Sequence, residues 1–486
     1  MFTRHKPKVG IDSDELLDKR VMRTRTVSRE RRLDFLSSRR AVVKTTPVVE
    51  HLLEKSSEII LDVRSCSVSS CKESLAELRA LLESGDESVL QETVHLGLVT
   101  RLASFVDNGD VYVQLDALRC LTNLAAGSTV VAREVLRVLT SICMALTRSS
   151  LVVQEQAVWC LGNLAGDAPE FIEVLLLHDV HNMIFKALPP GSQSLDPPLR
   201  PDFINFRRLI LWAMGNLVRG PCADDPSPFI NILPAAFAGL ADQSSISESA
   251  WLFAGITHVW KDLQSLHYDL FSGMIALFNR EEYQTLLLDS LAFCSTKPSL
   301  TPLLKTVHFL ILASPAFAST MFKAETFRIT QICFSIINTH TDNSSRLEAL
   351  TVLAAFAAGR DVSPLLLDTN ILDVLQMVLE SGSFDVKKEA TAVVSNLSFY
   401  NPIAIAQSRL LPLFVPLLRS KDVELQSWIL ICLSNILVEH PDSALKIAEA
   451  NLVPALINLS ESADSHMASQ ASYLLDAYLE NFLPQD

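Results

Sequence analysis

The stretch Ala157-Val158-Trp159-Cys160-Leu161-Gly162-Asn163-Leu164-Ala165-Gly166-Asp167 places a tryptophan and an asparagine four residues apart. Residues at i and i+4 share one face of an α-helix, so Trp159 and Asn163 read as a pair. The same Trp-x-x-x-Asn spacing returns in Leu211-Trp212-Ala213-Met214-Gly215-Asn216. Stacked side by side, two such helices form a ladder of rings and amides. A ladder of this kind can hold an extended peptide, whose backbone an Asn amide meets as both donor and acceptor.

Working outward, Asn123, Asn163, Asn216, Asn396 and Asn435 all close apolar helical strings, with gaps of 40, 53, 180 and 39 residues. Gly255, Cys294 and Ala355 fill the same slot inside the long gap, giving steps of 39, 39, 61 and 41. The two long steps require insertions. One is the proline-rich run from Leu188-Pro189-Pro190-Gly191 to Pro197-Pro198-Leu199-Arg200-Pro201, which cannot be helical. The other is expected between Thr296 and Asn343. Segments such as Glu389–Leu397 space their apolar residues by three and four, which predicts helix, and no strand-like alternation persists. A helical period near 40 is the signature of armadillo or HEAT units, which bury their faces only by stacking. The expectation is an all-α, armadillo-repeat, right-handed superhelical solenoid of about ten repeats.

Charge divides the chain. Residues 1–44 carry 13 Lys/Arg against 6 Asp/Glu, and the remainder carries 28 against 49. A basic arm (1–46) thus precedes an acidic solenoid (47–486), whose field favours basic ligands and disfavours general nucleic-acid binding. The nine cysteines lie mostly in apolar helical runs without Cys-x-x-Cys spacing, which predicts reduced core residues. Neither Cys66 and Cys71 nor His178 and His181 has the company a metal site needs, so no metal and no cofactor is expected. The N-terminus lacks an apolar signal segment, and the most apolar run, Val307 to Ala318, is too short and interrupted to span a membrane. No nucleophile triad or glycine-rich phosphate loop appears, so no enzyme is expected.

The strings around Trp159 and Trp212, together with the basic arm, resemble the importin-α family, the armadillo adaptors for nuclear localisation signals. The resemblance implies a cargo-binding major groove in which Trp rings receive lysine stems, at Trp159, Asn163, Trp212 and Asn216. By the same resemblance Asp167 pairs with the principal cargo lysine and Gly127 offers a carbonyl to it. Asn123 and Gln156 extend the polar lining, and Trp251 with Glu248 forms a partial position whose Asn slot is Gly255. The arm residues Arg4, Lys6, Lys8, Lys19, Arg20, Arg29, Arg31, Arg32, Arg39 and Arg40 are similar in order and spacing to the importin-β-binding segment. The implied partners are cargo proteins with basic signals, importin-β and an export receptor for recycling. The implied localisation is shuttling between cytoplasm and nucleus.

Departures are as informative. The second repeat reads Arg119-Cys120-Leu121-Thr122-Asn123, so an arginine stands where the family pattern has Trp. The minor groove keeps only Asn396 and Glu389, with Thr351, Ala355 and Ala392 in place of its other groups. Trp428 precedes Asn435 by seven residues and reads as core. These changes leave a second reading open: an armadillo scaffold of importin-α ancestry turned to other protein partners.

Overall fold

In a computed structural model the chain is described over residues 56–483, apart from 68–69, 109, 149, 195–198, 295–297, 340–341 and 463. The basic arm lies outside the described residues. Among those described, the regular structure is helical throughout, with no strand. The chain divides into two compact units, one ending at Met274 and one running from Ile275 to the C-terminus.

The first unit is an armadillo stack built on five ladder helices. These are α1 (Lys72–Glu83), α2 (Val111–Ala125), α3 (Leu151–Ala165), α4 (Pro201–Leu217) and α5 (Ile246–His258). Each packs against the next in chain order. Shorter helices fill each interval, as Thr129–Leu136 and Leu139–Ala145 do between α2 and α3. Local sequence sets the ladder ends. The Asp110 carboxylate accepts from the backbone N–H groups of Tyr112 and Val113 and so caps α2. Pro201 opens α4, where its missing N–H costs nothing, and holds Arg200 extended. The proline-rich run before it is an irregular loop over its described residues, with Gly191 at φ +80°, a region open to glycine.

The second unit repeats the plan with α6 (Leu300–Ala313), α7 (Asn343–Ala358), α8 (Phe384–Tyr400), α9 (Val423–Glu439) and α10 (Ser465–Tyr478), again packed in sequence. Asp342, Asp422 and Asp464 cap α7, α9 and α10 as Asp110 caps α2. Five ladder helices in each unit match the expected repeat number. One slot is corrected. Cys294 ends helix Glu281–Phe293, which packs beside Leu300–Ala313 and Arg328–Thr339 and is not a ladder helix. The surplus residues therefore precede Leu300 and do not follow Thr296. Periodicity cannot separate two neighbouring apolar helices, so a count of 39 residues landed on the wrong one.

Ladder helices are apolar nearly all round because they are flanked on both sides and backed by the shorter helices. Phe253 on α5, fully buried, meets Phe237 with ring centroids 4.7 Å apart, and burying one such ring contributes about 1.5–3 kcal/mol. In the second unit Phe356 on α7 meets Phe322 edge-on at 5.3 Å.

Candidate functional site

Four slot asparagines each tie a ladder helix to the one before it. Asn163 Nδ2 donates to the Thr122 carbonyl at 3.1 Å, and Asn216 Nδ2 to the Gly162 carbonyl at 3.0 Å. In the second unit Asn396 Nδ2 donates to the Ala354 carbonyl at 3.0 Å, and Asn435 Nδ2 to Ser398 Oγ at 3.1 Å. The first three acceptors each immediately precede the neighbouring slot residue, which fixes Ala355 as the slot of α7. All four amides are buried. The structure therefore gives these donors to the fold, where the sequence reading gave them to a peptide backbone. The Thr122 and Gly162 carbonyls also accept from the backbone N–H groups of Ala126 and Gly166, so each amide adds a second hydrogen bond that joins one helix to the next. Asn123 is half-exposed.

The rings divide unequally. Trp159 is half-buried, whereas Trp212 is 4% and Trp251 6% exposed. Trp212 lies directly over Gly162, where an added Cβ would meet ring atom Cζ3 at 2.1 Å. Asp167 and Gly127 are half-exposed, each one turn beyond its slot residue. Gln156 is buried and donates to Thr122 Oγ1 at 2.7 Å, so it braces α3 on α2. Glu248, also buried, accepts from Arg208 Nε at 2.9 Å, and its Oε2 has no hydrogen-bond partner among the described residues.

The chain's own cations occupy much of this face. Arg119 sits at the Trp position of α2 with 40% of its side chain exposed, 3.3 Å from Asp116, which also meets Arg79 at 3.1 Å. Arg208 precedes Trp212 by one turn and is also 40% exposed. Arg219, just past α4, donates to Asn216 Oδ1 at 3.4 Å and stands 5.8 Å from the Trp251 ring centroid. Burial pulls its guanidinium down to about 10, still a cation at neutral pH. Asp116, Asp167 and Glu248 thus share the face with Arg79, Arg119, Arg208 and Arg219. Sequence reasoning found Arg119 but missed Arg208 and Arg219; the signal was present, one residue four before Trp212 and one three after Asn216.

The second unit shows a parallel device. Lys388 Nζ lies 2.7 Å from both Asp422 and Glu424 and 5.6 Å from the Trp428 ring centroid. Trp428 is buried, as read from sequence, but beneath a lysine of the chain itself. Thr351 Oγ1 donates to Glu389 Oε1 at 3.1 Å, so both groups at this position contact each other. Among the described residues no three His, Cys, Asp or Glu side chains gather as metal ligands, and no helix is long and apolar enough to cross a membrane. His181 packs on Phe229 and bonds the Asp225 carbonyl at 2.8 Å. Seven of the nine cysteines are buried, and burial pushes thiols such as Cys160 and Cys432 up to about 12.

No known protein-family model matches the chain. Among curated proteins it is similar to importin subunit alpha-9 of Arabidopsis thaliana, 26% identical over 374 residues that cover 72% of this chain and 68% of that one. Importin subunit alpha-2 of Oryza sativa subsp. japonica matches at 26% over 435 residues, 84% of this chain and 78% of the relative. Importin subunit alpha-2 of Arabidopsis thaliana matches at 25%, spanning about half of each chain (51% and 48%). The fold is also that of an engineered protein of known crystal structure, with a TM-score of 0.71 at 21% identity, covering 89% of this chain and all of the other.

Proposed function

We propose, from its likeness to importin-α subunits, that this chain is a nuclear-import adaptor with one working lysine slot. The slot lies between the half-buried ring of Trp159 and the Trp212 ring seated on Gly162, with Asp167 one turn beyond Asn163. The half-buried ring of Trp159 on the Asn163 face, with Asp167 half-exposed beyond it, is the observation that carries the reading. A lysine stem covers apolar ring surface while its ammonium meets the π face and the acid. The importin-β-binding role rests on the sequence of residues 4–44 alone. Cargo with a basic signal, shuttling between cytoplasm and nucleus, and handover to an export receptor follow from the same likeness, as does the absence of catalysis.

The second unit contributes little to cargo in this reading, because Lys388 already fills the space over Trp428. One observation favours the alternative, a scaffold for other partners: the asparagine donors are committed between helices. A ligand backbone must then be held mainly by other groups.

Fluorescence anisotropy of a labelled lysine-rich peptide against the full chain and its Trp159→Ala variant tests the proposal. Binding that weakens about tenfold or more in the variant is expected, the scale of a desolvated cation–π contact. Binding unchanged by Trp159→Ala, or none at all, moves the chain to the scaffold reading.

A further inference from the structure

Resting on the reading of Trp159 as a lysine slot, we propose that the preferred ligand carries one lysine with an acidic residue close by, and is not a run of cations. Arg119 and Arg219 set this specificity. Along the ladder, α2 lies on one side of the slot and α5 on the other. Thr122 on α2 receives hydrogen bonds from both Asn163 and Gln156, which fixes α2 beside α3. Arg119 stands four residues before Asn123, as Trp159 does before Asn163. It therefore presents a guanidinium where a second cargo lysine would otherwise find a ring, and 40% of that side chain is exposed.

On the other side the Trp251 ring is nearly buried, and Arg219 stands over it. A second cationic stem has no room there and meets like charge. A cationic run is thus opposed at both neighbours of the slot, while an acidic side chain facing Arg119 gains a charge-assisted contact. Among the described residues Arg119 is held at 3.3 Å by Asp116, a carboxylate it shares with Arg79. It can turn to a ligand without leaving that acid unpaired.

Packed helices lie about 8–10 Å apart, and an extended chain advances about 3.3 Å per residue. The acidic residue is therefore expected about two to three positions from the lysine. Which side of the lysine it occupies depends on the direction of the bound chain, so both orders enter the test.

Three labelled peptides are titrated into the full chain by anisotropy. Two are single-lysine peptides with glutamate three residues before or after the lysine, and the third is all-lysine. One of the glutamate peptides is expected to bind about tenfold tighter than the all-lysine peptide, a ratio that separates specific readout from general attraction. Arg119→Glu should reverse the preference, Arg119→Gln should level it, and Trp159→Ala should weaken every peptide. Thermal melts of each variant establish that it folds. If the all-lysine peptide binds tightest and Arg119→Glu leaves the order unchanged, the specificity inference is overturned while the lysine slot stands. If no peptide responds to Trp159→Ala, the slot itself is wrong.

Discussion

A single hydrogen atom on Gly162 decides where Trp212 lies. An added Cβ would meet the indole at 2.1 Å, well inside contact distance, so the ring seats on bare backbone and the Gly162 carbonyl can accept from Asn216. Gly162→Ala should cost about 1–3 kcal/mol, the usual penalty for overfilling a packed site. The loss is read as a lower urea midpoint, with a shift in tryptophan emission as the ring is displaced. The pairing of Trp with Asn was legible in the sequence, because i and i+4 spacing is a property of the helix alone. Which way each amide points was not. That depends on a carbonyl about 40 residues away, brought near only by stacking.

At the scale of elements, the junction of α8 and α9 is held by charge. Burial raises the Asp422 carboxyl, but its bonds to Lys388 and the Leu425 N–H more than reverse this and hold it below the ordinary carboxylate range. Burial lowers Lys388, and its bonds to Asp422 and Glu424 more than restore it, so it sits above the ordinary range. The depressed acid stabilises the fold above its unfolded value of about 3.9. That contribution fades as pH falls through the folded value. The raised lysine stabilises below its unfolded value of about 10.4 and loses its contribution as pH rises through the folded one. Lys388→Met should therefore destabilise the chain at pH 7 and much less near pH 3, checked by urea denaturation at both. The aspartates that cap α7, α9 and α10 do stand in the sequence directly before helical runs. The pairing of Lys388 was not legible there, since nothing in its helix marks the acids of the next one as its partners. The choice of Cys294 as a slot failed for a related reason: two apolar helices in succession look alike until one is seen to pack in the ladder.

For the molecule as a whole, repeat stacking makes stability a sum of neighbour terms. Asn163→Ala and Asn396→Ala each remove one interhelical hydrogen bond, in different units. Each should cost about 0.5–1.5 kcal/mol, the net contribution of one intramolecular hydrogen bond. Urea titrations should find the double variant additive within about 0.5 kcal/mol, since the two sites share no partner. A larger discrepancy would mean that the units do not hold their ladders independently. The sequence by itself determined the all-helical class, the period near 40, the basic arm and acidic body, and the recurrent Trp/Asn face, because spacing and composition need no knowledge of partners. Only the tertiary structure decided how deeply each ring is buried, which amides are spent between helices and which cations of the chain fill its own face. Those outcomes arise from contacts across repeats, where residues about 40 positions apart compete for the same few ångströms.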